Sequence, residues 1–516
     1  MSQYRRRAFL ADVGRGMLVA SVGPALALDM GLAPAALADE SAERLTFGAI
    51  EPLVTLMQET SADRLLPAVA ERLKAGTDLR QLVAAAALAN ARAFGGQDYE
   101  GYHAFMALAP AYQMASELPE PARALPVMKV LYRNTNHIQQ MGGMKHETLH
   151  PVVAAHLPEG RSGADALVEA TRKKDVNAAE STFAALAQQG PLSEAYNDLL
   201  HVVQDYIDVH RVVLAWRAWA LLDLTGKEHA HTLLRQSVRF CVEEEGRIRR
   251  DQRELALRET LPKLLDRYKL LSRTPGEKQP DDAWVEKLAL TVYASDREKA
   301  ADAVAAALAD GVALETVGEA ISLAANQLVL HDPGRRQADS AAKPKGSVHG
   351  ASVGVHASDS ANAWRNIARV SDRRNTLASL IVGAYHTAGQ TGGLNAQPYP
   401  FAEQRESVRG VAPDALLPEV ESAIKANDQA RACALMARYG ELERPARPAF
   451  DLLLRYAISE DGALHAEKYY RTVSEEFAST RSAYRWRHLA ALARVTASEH
   501  GFPAPGVADA RRILGV

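Results

Sequence analysis

Cysteine is nearly absent. Cys241 and Cys433 are the only two in 516 residues. No CxxC, CxxCH or disulfide framework can be drawn from them, which excludes a cysteine zinc knuckle, c-type haem attachment and a disulfide scaffold. Both sit in apolar-periodic stretches, so buried free thiols are expected. An excess of either charge is also missing. There are 60 Lys and Arg against 63 Asp and Glu, so no electrostatic case for nucleic acid arises. No stretch beyond the N-terminus is long and apolar enough to span a bilayer. A nucleophile elbow, a P-loop and a dinucleotide fingerprint are all lacking. β-branched residues seldom alternate, so strands are not expected. What remains is a chain rich in alanine and leucine at three- and four-residue spacing, the mark of helix.

The N-terminus is informative. Arg5-Arg6-Arg7-Ala8-Phe9-Leu10 resembles a twin-arginine export signal. A mildly apolar region follows, then Ala36-Leu37-Ala38, a small-x-small cleavage site. The reading is a signal peptide over 1–38. The twin-arginine export machinery is then a partner, and the mature protein is periplasmic or secreted, without stable membrane insertion. That route carries folded proteins, many of which acquire a cofactor or metal before export.

Residues 97–103 read QDYEGYH and residues 204–210 read QDYIDVH. Before each terminal histidine lie two helix-like runs around a glycine. The same order recurs twice more. The glycines are Gly76, Gly190, Gly311 and Gly440, and the histidines are His103, His210, His356 and His465. Glycine just past a helix supplies the left-handed turn that ends it. The expectation is an all-α protein of four divergent four-helix repeats of about 120 residues each, stacked as an α-solenoid or helical toroid. The units are 39–158, 159–275, 276–395 with an inserted loop over 331–350, and 396–516. Candidate joints are LPEGRSG, SRTPGEKQPDDA and GQTGGLNAQPYP.

The repeated histidines are the first candidate site. If the units curve into a ring, the imidazoles converge. Neutral imidazole is a ligand for zinc, copper, iron and nickel. His103, His210, His356 and His465 are therefore the candidate ligands of a divalent transition metal, and a metal-free centre stays open. Asp98 and Asp205, each five residues before its histidine, are candidates to orient a ring nitrogen. The third unit adds His349 and His386, with Asp359, Asn362 and Arg365 on the helix that follows. These residues suggest a polar pocket for a small molecule. The HG…HA pattern from His349 to Ala357 is similar to a motif of questin-oxidase-like proteins, which insert oxygen into ketones without a metal. The resemblance implies that His349 and His356 polarise an oxygenated aromatic substrate or act as bases, with His386 nearby.

A competing motif is His146-Glu147-Thr148-Leu149-His150, which spells HExxH. It resembles the zinc grip of zincin peptidases. That resemblance implies His146 and His150 as ligands, Glu147 as the base and Glu169 as a third ligand. Gly142-Gly143 before it and Pro151 after it leave little room for a helix. Three readings follow: an oxidoreductase or oxygenase with a histidine-lined pocket, a zinc peptidase, and a non-catalytic helical scaffold.

Overall fold

A computed structural model describes residues 44–157, 160–248, 255–341, 343–348, 350 and 352–516. The signal segment over 1–38 and His349 lie outside the described residues. Within them the chain forms 23 α-helices and short 3-10 turns. No strand forms among the described residues, only four isolated bridges. The all-α expectation holds.

Twenty of the 23 helices can be set in four runs of five in chain order, and in each run the fourth helix carries one of the four histidines. The first run is α1 (Glu51–Glu59), α2 (Ala62–Lys74), α3 (Leu79–Phe94), α4 (Tyr99–Ala115) and α5 (Leu125–Gln140). The second is α6 (Gly163–Arg172), α7 (Val176–Gln189), α8 (Leu192–Val203), α9 (Val209–Thr225) and α10 (Ala230–Arg247), followed by α11 (Leu257–Arg267). The third is α12 (Asp282–Ala294), α13 (Arg297–Ala309), α14 (Leu314–Leu330), α15 (Val353–Val370) and α16 (Arg373–Thr387). After α17 (Ala402–Val408) comes the fourth: α18 (Leu416–Lys425), α19 (Gln429–Glu441), α20 (Ala446–Ser459), α21 (His465–Ser479) and α22 (Trp486–Glu499), with α23 (Val507–Leu514) last. Five helices per run, not four, is the first correction. The additional helix is the one that opens each run, α1, α6, α12 or α18, which lies before the two runs around the glycine.

The glycines divide. Gly76 and Gly311 follow α2 and α13 in left-handed conformation, as expected of helix ends. Gly190 ends α7 with extended backbone at φ −144°. Gly440 lies inside α19, where an added Cβ would stand 2.4 Å from Cγ of Trp486. Its role is close packing, not a turn. The third proposed joint, 389–400, lies between α16 and α17. Cys241 and Cys433 are buried free thiols. No described helix is long and apolar enough to cross a membrane.

The four histidine helices close on themselves. α4 packs on α9, α9 on α15, α15 on α21, and α21 back on α4. A buried ion pair secures this last contact. Lys129 of α5 reaches Glu467 of α21 at 2.6 Å, with both side chains fully buried. Its Nζ also donates to the carbonyls of Ala457 (2.8 Å) and Glu460 (2.6 Å). Removing the cation leaves a carboxylate and two carbonyls buried without it. Lys129→Met should therefore lower stability by about 3 kcal/mol, read from urea unfolding. A loss below about 1 kcal/mol, the level of an exposed pair, would show that this clasp does not hold the ends together.

Candidate functional site: four converging imidazoles

Each ring helix starts where its histidine sits. Asp98 caps α4, accepting from Gly101 N at 2.7 Å. Asp208 caps α9, accepting from Arg211 N at 2.9 Å. Ser352 caps α15 through Val355 N. α21 has no side-chain cap. Instead Gly462, Ala463 and Leu464 take left-handed backbone in succession, at φ 50°, 47° and 64°, directly before His465. For alanine and leucine this conformation is costly, about 1–3 kcal/mol each, and such strain gathers at functional sites.

These starts bring His103, His210, His356 and His465 together. Ring centroids lie 4.9 Å apart from His103 to His210, 5.7 Å from His210 to His356, 5.4 Å from His356 to His465, and 5.0 Å from His465 to His103. The four rings close a circuit. The inner nitrogens of the last pair are close: His356 Nε2 stands 3.3 Å from His465 Nε2. Outer nitrogens are tied back. His103 Nδ1 donates to the Tyr99 carbonyl at 2.7 Å and His465 Nδ1 to the Ala463 carbonyl at 3.1 Å. His210 Nδ1 faces the Asp208 carboxylate at 3.6 Å. With Nδ1 donating, Nε2 carries the lone pair. The Nε2 atoms of His103 and His210 are buried and have no hydrogen-bond partner.

Electrostatics keeps His103 and His356 neutral. Burial pushes His103 well below its ordinary value, helped by the charges of Lys468 and His210. Burial also lowers His356 to about 3, with His210 and Lys468 adding to it. Four helix N-termini, each partly positive, disfavour imidazolium in the same sense. Burial raises Asp208, but its hydrogen bond and charge interaction with His210 outweigh this and bring it down to about 2. Lys468, one turn beyond His465 and buried, is lowered to about 8 by desolvation, against the pull of Asp359 and Glu467.

The centre has a closed side and an open one. On the closed side a cavity of about 10 Å³ touches His465, Tyr469 and Glu499, room for one water-sized molecule. An added Cβ on Gly350 would stand 2.2 Å from Cβ of His465, so only glycine fits there. On the open side Tyr99 is 56% exposed and its ring lies 4.4 Å from His103. His210 and His356 are partly exposed there too. Tyr102 backs His210 at 5.1 Å.

Other expectations fare differently. Asp98 holds His137 Nε2 at 2.6 Å instead of His103, and Asp205 is taken by Arg172 and Arg258. The two QDY stretches are out of register: Asp98 caps its helix, whereas Asp208 caps the other. Asp359, Asn362 and Arg365 are buried. They bond into α21, through Thr472 to Asp359 at 2.8 Å, Asn362 to Glu475 and Glu476 at 2.9 Å, and Arg365 to Glu476 at 2.6 Å. His386 accepts from Trp364 Nε1 at 3.3 Å and interacts with Asp208 at the edge of the centre.

The HETLH stretch forms no zinc-gripping helix. After a 3-10 turn over Gly143–Lys145 the chain from 146 to 157 runs without helix. Thr148 N and Leu149 N instead donate to the Arg92 carbonyl. Glu147 is a structural anion, held by Arg44 and Gln58 at 2.9 Å and by Arg92 at 3.2 Å. Glu169 pairs with Arg161 and Lys173 on α6.

Sequence reasoning missed Asp208 and Lys468. Asp208 carried a signal, an Asp directly before a helical run. Lys468 carried none, since nothing local marks a lysine as buried. Comparisons with family profiles, curated proteins and solved structures find no match for this chain.

Two outcomes follow. His356, at about 3, and His386, at about 4, stay neutral in the fold, but the unfolded chain protonates them below about 6.5. The unfolded state then binds more protons, so this stability is full above about 6.5 and lost as pH falls toward these values. Melting temperature should drop from pH 7 to pH 4, and His356→Gln should flatten the drop; an unchanged slope would contradict the assignment. Gly350→Ala should cost about 1–3 kcal/mol by overpacking against His465, measured by denaturant unfolding, and a neutral result would mean the two do not pack.

Proposed function

We propose that this chain is a metal-dependent oxidoreductase, an oxygenase acting on a small molecule. Its centre is His103, His210, His356 and His465. The observation that carries the reading is the closed circuit of four imidazoles, with Nε2 buried and without a hydrogen-bond partner at His103 and His210. Buried polar nitrogens without partners are costly, and a bound cation relieves that cost. Two imidazole nitrogens 2.0–2.1 Å from one ion at a tetrahedral angle stand about 3.3 Å apart. The His356–His465 separation is 3.3 Å.

Among the described residues, no group of three or more His, Cys, Asp or Glu side chains stands as a ready-made metal cage. Holding an ion therefore requires the rings to turn until their Nε2 atoms face one point. The backbone and Asp208 contacts at Nδ1 would then orient the ligands. An all-imidazole set suits iron, copper, zinc or nickel, and a redox-active ion would supply electron transfer to oxygen. Lys468 offers a proton, and the small cavity beside His465 takes a co-substrate of the size of water or dioxygen. The open side at Tyr99 admits the organic substrate.

This reading is favoured over a peptidase because Glu147 is already bound by three partners. The arginine pair and Phe9-Leu10 support export to the periplasm after folding, which suits a protein that acquires its metal first.

Elemental analysis of protein folded in the cytoplasm tests the reading. One transition metal per chain is expected, lost in His103→Ala and His465→Ala and retained in Glu147→Gln. No metal above background, both as purified and after incubation with Fe(II), Cu(II) or Zn(II), would overturn it.

A further inference from the structure

His137 stands outside the centre, on α5, yet it holds the first turn of the helix that carries His103. Its Nε2 meets Asp98 Oδ1 at 2.6 Å. The same oxygen accepts from Gly101 N at 2.7 Å as the cap of α4. His137 Nδ1 is buried and faces Glu100 Oε2 at 3.5 Å, with the Gln140 side chain also beside the ring. The Phe94 ring of α3 stacks on it at 5.1 Å. The charged groups facing His137 are therefore two carboxylates, Asp98 and Glu100, both at the start of α4. Between them on the chain is Tyr99, whose carbonyl receives His103 Nδ1. An open cleft bordered by Asp98, Gln140 and His146 gives solvent access to this corner.

We propose that His137 is a proton-operated positioning residue: its imidazolium clamps Asp98 and Glu100, fixing the α4 turn that sets His103 in the four-histidine centre. The chemistry is a proton gained or lost at Nδ1. With the proton, His137 donates to Asp98 and attracts both carboxylates, a charge-assisted hydrogen bond. Without it, a neutral ring keeps one ordinary hydrogen bond and loses the attraction to Glu100. Half-burial works against the charged ring, but the bond to Asp98 and the charges of Asp98 and Glu100 outweigh it, so the proton is held to higher pH than in an ordinary histidine. The clamp is present at low pH and is lost as pH rises through that raised value. His103 itself stays neutral throughout, because burial drives its own protonation far below this range.

The inference rests on His103 belonging to the centre but needs neither metal nor activity. Histidine-selective nitrogen-15 labelling of the metal-free full chain, recorded from pH 5 to pH 9, provides the test. A shift of the His103 ring resonances is expected, with the same midpoint as His137's own titration. In His137→Gln that step should vanish. In His137→Lys, which keeps a charge, His103 should hold its low-pH position across the range. His103 resonances that stay flat through the His137 midpoint in the unaltered chain would overturn the proposal, and so would a step surviving in His137→Gln. Metal content, measured separately, reports on the centre and not on this clamp.

Discussion

Everything at the centre depends on one closure, the contact between the first and last histidine helices. α4 and α21 lie far apart in sequence, yet His103 and His465 rings sit 5.0 Å apart. Lys129 and Glu467 sit beside that seam, buried and paired. An open array of the same helices would leave His103 and His465 at opposite ends. Closure turns four separate first-turn histidines into one circuit. The energetic cost of burying Lys129 and Glu467 is offset by their pairing, and that of burying His103 and His465 by the carbonyls that their Nδ1 atoms meet.

A second constraint acts on protonation. Burial, the Lys468 charge and four converging helix starts all disfavour imidazolium. Asp208 opposes them at His356 and at the neighbouring His386. The result, at His103 and His356, is a region that rejects protons. Such a region is chemically unfinished, and the strained backbone from Gly462 to Leu464 shows that the fold bears a local cost to place His465 there.

The all-α class was legible. Alanine and leucine at helical spacing marked the helices, and the recurrence of glycine, helix and histidine pointed to His103, His210, His356 and His465. Local patterns do not carry register, however. QDY recurs, yet Asp98 is a cap and Asp205 is a partner of Arg172 and Arg258. The capping Asp208 was hidden one turn later. Gly440 matched the pattern of a helix end but serves as a flat bed for Trp486, a fact set by a residue 46 positions away. HETLH had the right letters. Its fate was decided by Arg44, Gln58 and Arg92, which lie far off along the chain and meet Glu147 only in the fold. The polar face of Asp359, Asn362 and Arg365 was visible as unusual. That it faces α21 and not a cavity depends on tertiary pairing alone.

The central claim is that the four imidazoles act together on one ion. X-ray absorption at the metal edge of the loaded protein addresses it directly. The account predicts a first shell dominated by nitrogen at about 2.0–2.2 Å, with the outer-shell scattering of several imidazole rings that weakens in His103→Ala and in His356→Ala alike. A first shell without imidazole scattering, or one unchanged by either substitution, would contradict it.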